Sequence, residues 1–134
     1  MNIYIASSWR NQHAVQLLTE RLRKQGHVVH SFVENAGSEE HDVASKKLDF
    51  DEWVRSDEGE AKFTYDTSMA TQANLVVYIG PSGTDAWAEV GAAWARGVPV
   101  YGLWAKGEPA GLMRRMVVWM KDHNELLGQT WKAK

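Results

Sequence analysis

The chain contains no cysteine. That single absence removes disulfides, thiolate metal sites and cysteine nucleophiles together, and it fits a reducing compartment. No apolar run approaches the ~20 residues that a membrane span needs. The opening Met1-Asn2-Ile3-Tyr4-Ile5-Ala6 has no basic segment followed by an apolar one, so no signal peptide is read and a cytoplasmic location is expected. Neither sign of charge is in excess. A net charge of −2 gives no overall field that would recruit a nucleic acid polymer. Internal repeats and low-complexity segments are also missing.

What is present is ordinary globular composition, 44% hydrophobic and 24% charged over 134 residues. That length suits one domain with a core of its own, here expected over residues 1–128, with a fraying tail at 129–134 onto which Trp131 could dock. Seven tryptophans are many for such a chain. Trp is the largest apolar filler, so they are expected in the core and at interfaces. Trp87 and Trp94 fall seven apart on one face of a predicted helix, which points to a homodimer or a larger homo-oligomer.

Periodicity organises the chain as alternating strands and helices. Asn2 to Ala6 reads as a strand and Ser7 to Asn11 as a polar turn. Ala14, Val15, Leu17, Leu18 and Leu22 recur at helical spacing until Gly26, and His27 to Val33 is a second strand. Together they make one β-α-β unit. Glu34 to Lys47 is polar and aperiodic and is expected to be a mobile loop over the site. Leu48, Phe50 and Trp53 predict a short helix broken by Asp57 to Gly59. Glu60 to Ala73 predicts another, with Phe63, Met69, Ala70 and Ala73 inward. Leu75 to Ile79 is continuously apolar, the mark of a central strand covered on both faces. Ala86 to Arg96 is a helix, Val98 to Trp104 a strand, and Glu108 to Arg115 a helix. Met116 to Lys121 is a fifth strand, and Asp122 caps a last short helix. The order predicts a doubly wound α/β fold with a mostly parallel five-stranded sheet and helices on both faces. Ligands in such folds bind beyond the carboxyl ends of the strands, which brings Ala6 to Asn11, Gly80 to Glu89 and Trp104 to Glu108 together.

Two segments carry candidate chemistry. Gly80-Pro81-Ser82-Gly83 leads into a helix, which makes either an anion site of free N–H groups or simply a turn with Thr84 or Asp85 as its cap. Glu89 is a carboxylate on a helix otherwise rich in Ala, Val and Trp. Either it is half-buried or it faces water as a favourable N-terminal acid; burial would raise its pKa and the helix dipole would lower it. With no cysteine and no Ser-His-Asp arrangement, it is the best nucleophile candidate. Asp66 and Arg10 read as surface charges by default, Tyr4 as a core tyrosine, and Arg114-Arg115 as a solvated face. His27 and His30 face opposite sides of a strand, and a metal at His41 and Asp42 has little to support it. No metal or cofactor is expected.

These residues resemble the nucleoside 2-deoxyribosyltransferase-like superfamily of deoxyribosyltransferases and nucleotide N-glycosidases. The resemblance runs from Asn2 to about Leu127. It rests on Ile3-Tyr4-Ile5-Ala6-Ser7-Ser8, on Asp66 followed by Ala73-Asn74-Leu75-Val76-Val77, on Pro81-Ser82-Gly83 with Glu89-Val90-Gly91-Ala92-Ala93, and on Gly97-Val98-Pro99-Val100. It implies that Glu89 attacks the anomeric carbon, that Tyr4 orients it, and that Asp66 positions and protonates the base. It implies a nucleoside or nucleoside 5′-monophosphate as substrate, with Ser7, Ser8, Arg10, Ser82 and Gly83 around its 5′ end. The chain departs from the family pattern at the glycine-poor Ser7-Ser8-Trp9-Arg10-Asn11 loop, at Asn74, and by one extra residue between Ser82 and Glu89. Two alternatives stay open. One is a phosphoribohydrolase of the cytokinin-activating kind, of whose motif only Pro81-Ser82-Gly83-Thr84 is present. The other is a nucleotide-binding or sensing module without catalysis.

Overall fold

Side chains alternate across a strand, so a strand buried on both faces must be apolar throughout. The computed structural model, which describes residues 1–34, 49–109 and 111–129, has five strands: β1 Asn2–Ala6, β2 Val28–Ser31, β3 Leu75–Ile79, β4 Val100–Leu103 and β5 Val118–Met120. They form one sheet in the order β2-β1-β3-β4-β5, and every neighbouring pair is parallel. β3 lies at the centre with all its residues buried, as its apolar run predicts. Among the described residues five α-helices connect and flank the strands: α1 Gln12–Lys24, α2 Phe50–Arg55, α3 Asp57–Gln72, α4 Thr84–Ala95 and α5 His123–Leu127.

The alternation along β1 and β3 divides the core into two layers. Ile3, Ile5, Leu75, Val77 and Ile79 pack with Val15, Leu18 and Leu22 of α1 and Leu126 of α5. Tyr4, Ala6, Val76 and Tyr78 face the other way, against Ala70 of α3 and Ala86, Val90 and Ala93 of α4. The second layer is made largely of small side chains, which lets α3 and α4 approach the sheet closely around two tyrosines. The topology places the switch point between β1 and β3, from which the chain departs towards opposite edges. The loops after these two strands stand at the usual ligand position in open α/β sheets. No helix among the described residues is long and apolar enough to cross a membrane.

Several local expectations are corrected. Ala14 is exposed, as are Leu17 and Phe63; Leu17 points away from the stripe of Val15, Leu18 and Leu22, whereas Phe63 shares the face of Ala70 two turns nearer the start of its helix. Asp57 to Gly59 does not break a helix but begins α3. The break is at Ser56, whose hydroxyl caps the new helix by accepting from the Gly59 N–H. Gly59 is required there, since a Cβ would overlap the Trp53 carbonyl. The helix expected at Glu108 to Arg115 is a turn followed by a 3-10 segment, Leu112–Met116. Neither Thr84 nor Asp85 caps α4; Gly83 holds that position without a side-chain bond. Arg114 is half-buried and stacks near Trp104 and Trp119. Residues 35–48, with His41 and Asp42, lie outside the described residues, as does Trp131.

Candidate active site

The parallel register puts Tyr4 opposite Val76 and Ala6 opposite Tyr78. Tyr4 thus points from β1 into the layer occupied by α3 and α4. Its hydroxyl donates to Glu89 Oε1 at 3.1 Å, across 85 residues of sequence. Glu89 is only 9% exposed, deeper than the half-burial its helix implies. It stands in the second turn of α4, beyond the free N–H groups. Burial first, then the negative charges of Glu89 and Asp66, hold the Tyr4 phenol far above its ordinary pKa. Tyr4 is accordingly a permanent donor, and it fixes the orientation of the carboxylate it touches.

Asp66 comes from the third turn of α3 and lies in the same electrostatic neighbourhood. Its carboxyl is pushed up to about 6, chiefly by burial; Lys62 and the Tyr4 hydroxyl oppose the rise and Asp85 adds to it. One of its oxygens, Oδ1, is shielded from solvent without a hydrogen-bond partner among the described residues. The sheet and two helices thereby bring together Tyr4, Asp66 and Glu89, the three residues singled out for catalysis. They form a donor that keeps its proton, an acid that ionises near neutrality, and a buried carboxylate. A shallow depression elsewhere on α3, lined by Asp57, Glu60, Thr64, Tyr65 and Ser68, includes none of them.

The residues expected at the 5′ end divide into two groups. Ser7 donates to the Ile79 carbonyl at 2.7 Å and accepts from Asn11 Nδ2 at 3.0 Å. Ser82 is bonded to the Tyr78 hydroxyl at 2.7 Å, while that hydroxyl points its one proton at Glu108. Ser82 must therefore be the donor, and the hydroxyl protons of Ser7 and Ser82 are both spent inside the protein. In this structure both hydroxyls brace the two loops. Ser8, half-buried, accepts from the Arg10 N–H; Arg10 is exposed and Gly83 begins α4. The donors left for an anion are the Arg10 guanidinium, the Ser8 hydroxyl, which only accepts in the bond above, and the backbone N–H groups at the start of α4.

Sequence reasoning missed Asn11 and Glu108. Asn11 donates from Nδ2 to the Pro81 carbonyl at 2.8 Å and so ties the β1 loop to the β3 loop. Glu108 is 8% exposed and accepts from Tyr78 and from Trp87 Nε1. Neither has a local signal, because each acts on segments far away in sequence. Asn74, the departure at the start of β3, accepts from the Asn2 N–H at 2.7 Å and joins the other end of β1 to β3.

No protein-family model matches the chain, and no curated protein does. Solved structures do. A 2-deoxyribosyltransferase from the psychrotolerant bacterium Bacillus psychrosaccharolyticus matches with a TM-score of 0.75 at 22% identity, over 96% of this chain and 92% of that one. The Clostridium botulinum CMP N-glycosidase matches with a TM-score of 0.60 at 15% identity, over 93% of this chain and 94% of that one. The fold is the one adopted by a deoxyribosyltransferase and a nucleotide N-glycosidase, and it spans nearly the whole of each chain.

The position of Asp66 makes stability depend on pH. A carboxyl whose folded-state pKa is raised binds its proton more tightly in the folded chain, so folding loses stability as pH rises from 3.8 to about 6. Asp66→Asn removes that loss. The variant should match the wild type near pH 4 and exceed it at pH 8 by up to about 2 kcal/mol in urea unfolding. Equal stabilities at pH 8 would show that Asp66 is solvated.

Proposed function

We propose that the chain is an N-glycosidase or 2-deoxyribosyltransferase of the nucleoside 2-deoxyribosyltransferase-like superfamily, acting on a nucleoside or its 5′-monophosphate through Glu89. The observation that carries this reading is the buried bond from Tyr4 to Glu89 at the switch point, with Asp66 beside it. The likeness in fold to enzymes named for these two reactions supports it.

The chemistry follows from the geometry. Departure of a nucleobase leaves positive charge on the sugar, which a facing carboxylate stabilises. Glu89 attacks the anomeric carbon as the bond from that carbon to the base nitrogen breaks, and the bonding electrons leave with the base. Asp66, an acid that holds its proton to about pH 6, gives that proton to the base. The product is a glycosyl ester on Glu89. Attack by water on the same carbon, as the bond to the Glu89 oxygen breaks and the water's proton passes to Asp66, releases the sugar and restores the carboxylate; attack by a second base, which gives its nitrogen-bound proton to Asp66 in the same way, gives exchange instead. Tyr4 keeps Glu89 aligned throughout. A cytoplasmic setting, where nucleosides and nucleotides circulate, goes with this reading.

The test is base release from a panel of ribo- and deoxyribonucleosides, their 5′-monophosphates and NAD. Glu89→Gln and Glu89→Ala should fold and lose activity by at least about 10²–10⁴-fold. Full activity in either variant would eliminate the glycosyl ester. Free base with ribose 5-phosphate, base with a free sugar, and base exchange distinguish the reactions. Binding without turnover by the wild type would favour a sensing module.

Arg10 decides between nucleoside and nucleotide, because a guanidinium and a helix N-terminus both favour a phosphate dianion. Arg10→Ala should raise KM for a monophosphate at least tenfold more than for its nucleoside; equal changes would reject a 5′-phosphate site there. A homodimer or larger assembly belongs to the same proposal. Trp94 is 56% exposed on α4 and Trp104 is 49% exposed beyond β4, rings that a subunit interface would cover. Sedimentation at micromolar concentration should show at least a dimer, and a monomer would count against it.

A further inference from the structure

The layer that holds Tyr4 and Glu89 contains a second tyrosine–glutamate pair, and nothing in the proposed chemistry uses it. Tyr78 stands one strand over, opposite Ala6, and its hydroxyl lies 2.7 Å from each oxygen of Glu108. Trp87 Nε1 donates to Glu108 Oε1 at 2.9 Å. Ser82 donates to the Tyr78 oxygen. Gly80 sits so close that a Cβ there would overlap Glu108 Oε2.

We infer that Glu108 is a positioning residue for Glu89. Its carboxylate, reaching back from the loop after β4, clamps the Gly80 to Gly83 turn and the first turn of α4. This rests on the reading of Glu89 as nucleophile. The start of α4 has no side chain of its own to cap it, and Thr84 and Asp85 are exposed. Its position is therefore set from outside the helix. Glu108 makes no ion pair among the described residues, so its buried oxygens are satisfied by the donors it holds. Those donors come from β3 (Tyr78) and from α4 (Trp87), with the turn attached through Ser82. Trp87 is two residues from Glu89. Tyr78, Trp87 and Trp119 also pack as one aromatic cluster, so a shift of Trp87 carries the helix with it. A nucleophile displaced by about 1 Å loses on the order of 10²-fold in rate, while groups that bind the substrate elsewhere keep their hold.

The test combines base-release kinetics with hydrogen exchange on the full chain. Glu108→Ala should lower kcat by about 10–100-fold and change KM less than about threefold, with kcat taken per folded molecule as counted by circular dichroism, so that loss of folded enzyme is not read as loss of rate. Glu108→Gln, which keeps an acceptor for Trp87, should recover most of the rate. Tyr78→Phe should fall between them. In Glu108→Ala the amides of residues 80–90 should exchange at least tenfold faster while those of α1 stay unchanged. If Glu108→Ala fails to fold, the Gln and Phe variants carry the same comparison. Wild-type kcat with wild-type exchange at 80–90, or equal loss in the Gln and Ala variants, would overturn the assignment. If the wild type releases no base from any substrate, the proposed function fails, and the exchange data alone then judge the clamp.

Discussion

A carboxylate taken out of water has to be given donors, and the donor Glu89 receives from β1 is the hydroxyl of Tyr4. The rest of the site follows from that requirement. For Tyr4 to reach α4, β1 must lie beside β3 in parallel, with Tyr4 on the helix-facing side. For α4 to come near enough, its inward residues must be small, and they are Ala86, Val90 and Ala93. The same closeness brings α3 alongside and draws Asp66 out of water, which holds its carboxyl above the usual range. Burial thus does two things with one arrangement. It locks a proton on Tyr4, and it keeps one on Asp66 up to a pH at which an exposed aspartate would long since have lost it.

The loops around this centre are held from within. Ser7 and Asn11 bind the end of β1 to Ile79 and Pro81, and Glu108 with Tyr78 and Ser82 binds the β3 loop from the other side. These bonds hold the two loops at the switch point in a fixed relation. The Ser7 and Ser82 hydroxyls take part in this bracing. The Ser8 hydroxyl, backbone N–H groups and the exposed Arg10 guanidinium remain as donors suited to negative charge.

The outer surface follows a different logic. Arg114 lies near two indole rings, and Trp94 and Trp104 stay largely open to solvent. Trp87 and Trp119 are taken into the cluster with Tyr78, whereas Trp94, two turns beyond Trp87 on the same helix, is exposed.

Much of the fold was legible in the residues because it depends on local pattern. Five apolar residues in a row place Leu75–Ile79 at the centre, and helical spacing ending at Gly26 or Gly97 marks α1 and α4. Tyr4, Asp66 and Glu89 could be named from their motifs, since each stands in a short run with a recognisable neighbourhood. Their distance from one another could not be, because it is set by strand order and register, which no single run contains. Leu17 was misplaced because an apolar residue can stand on the far side of a helix, and Phe63 because periodicity tells which face is apolar, while only the tertiary fold decides how far along its length that face is covered. Glu108 was invisible as a partner of Trp87 and Tyr78, since an acid in a loop reads as solvated until the fold folds three other segments over it. Sequence alone determined the elements and the kinds of chemistry available, through propensity and periodicity. Tertiary structure decided which acids lose their water and which hydroxyls donate to a neighbour, because desolvation and hydrogen bonding depend on contacts made across the whole chain.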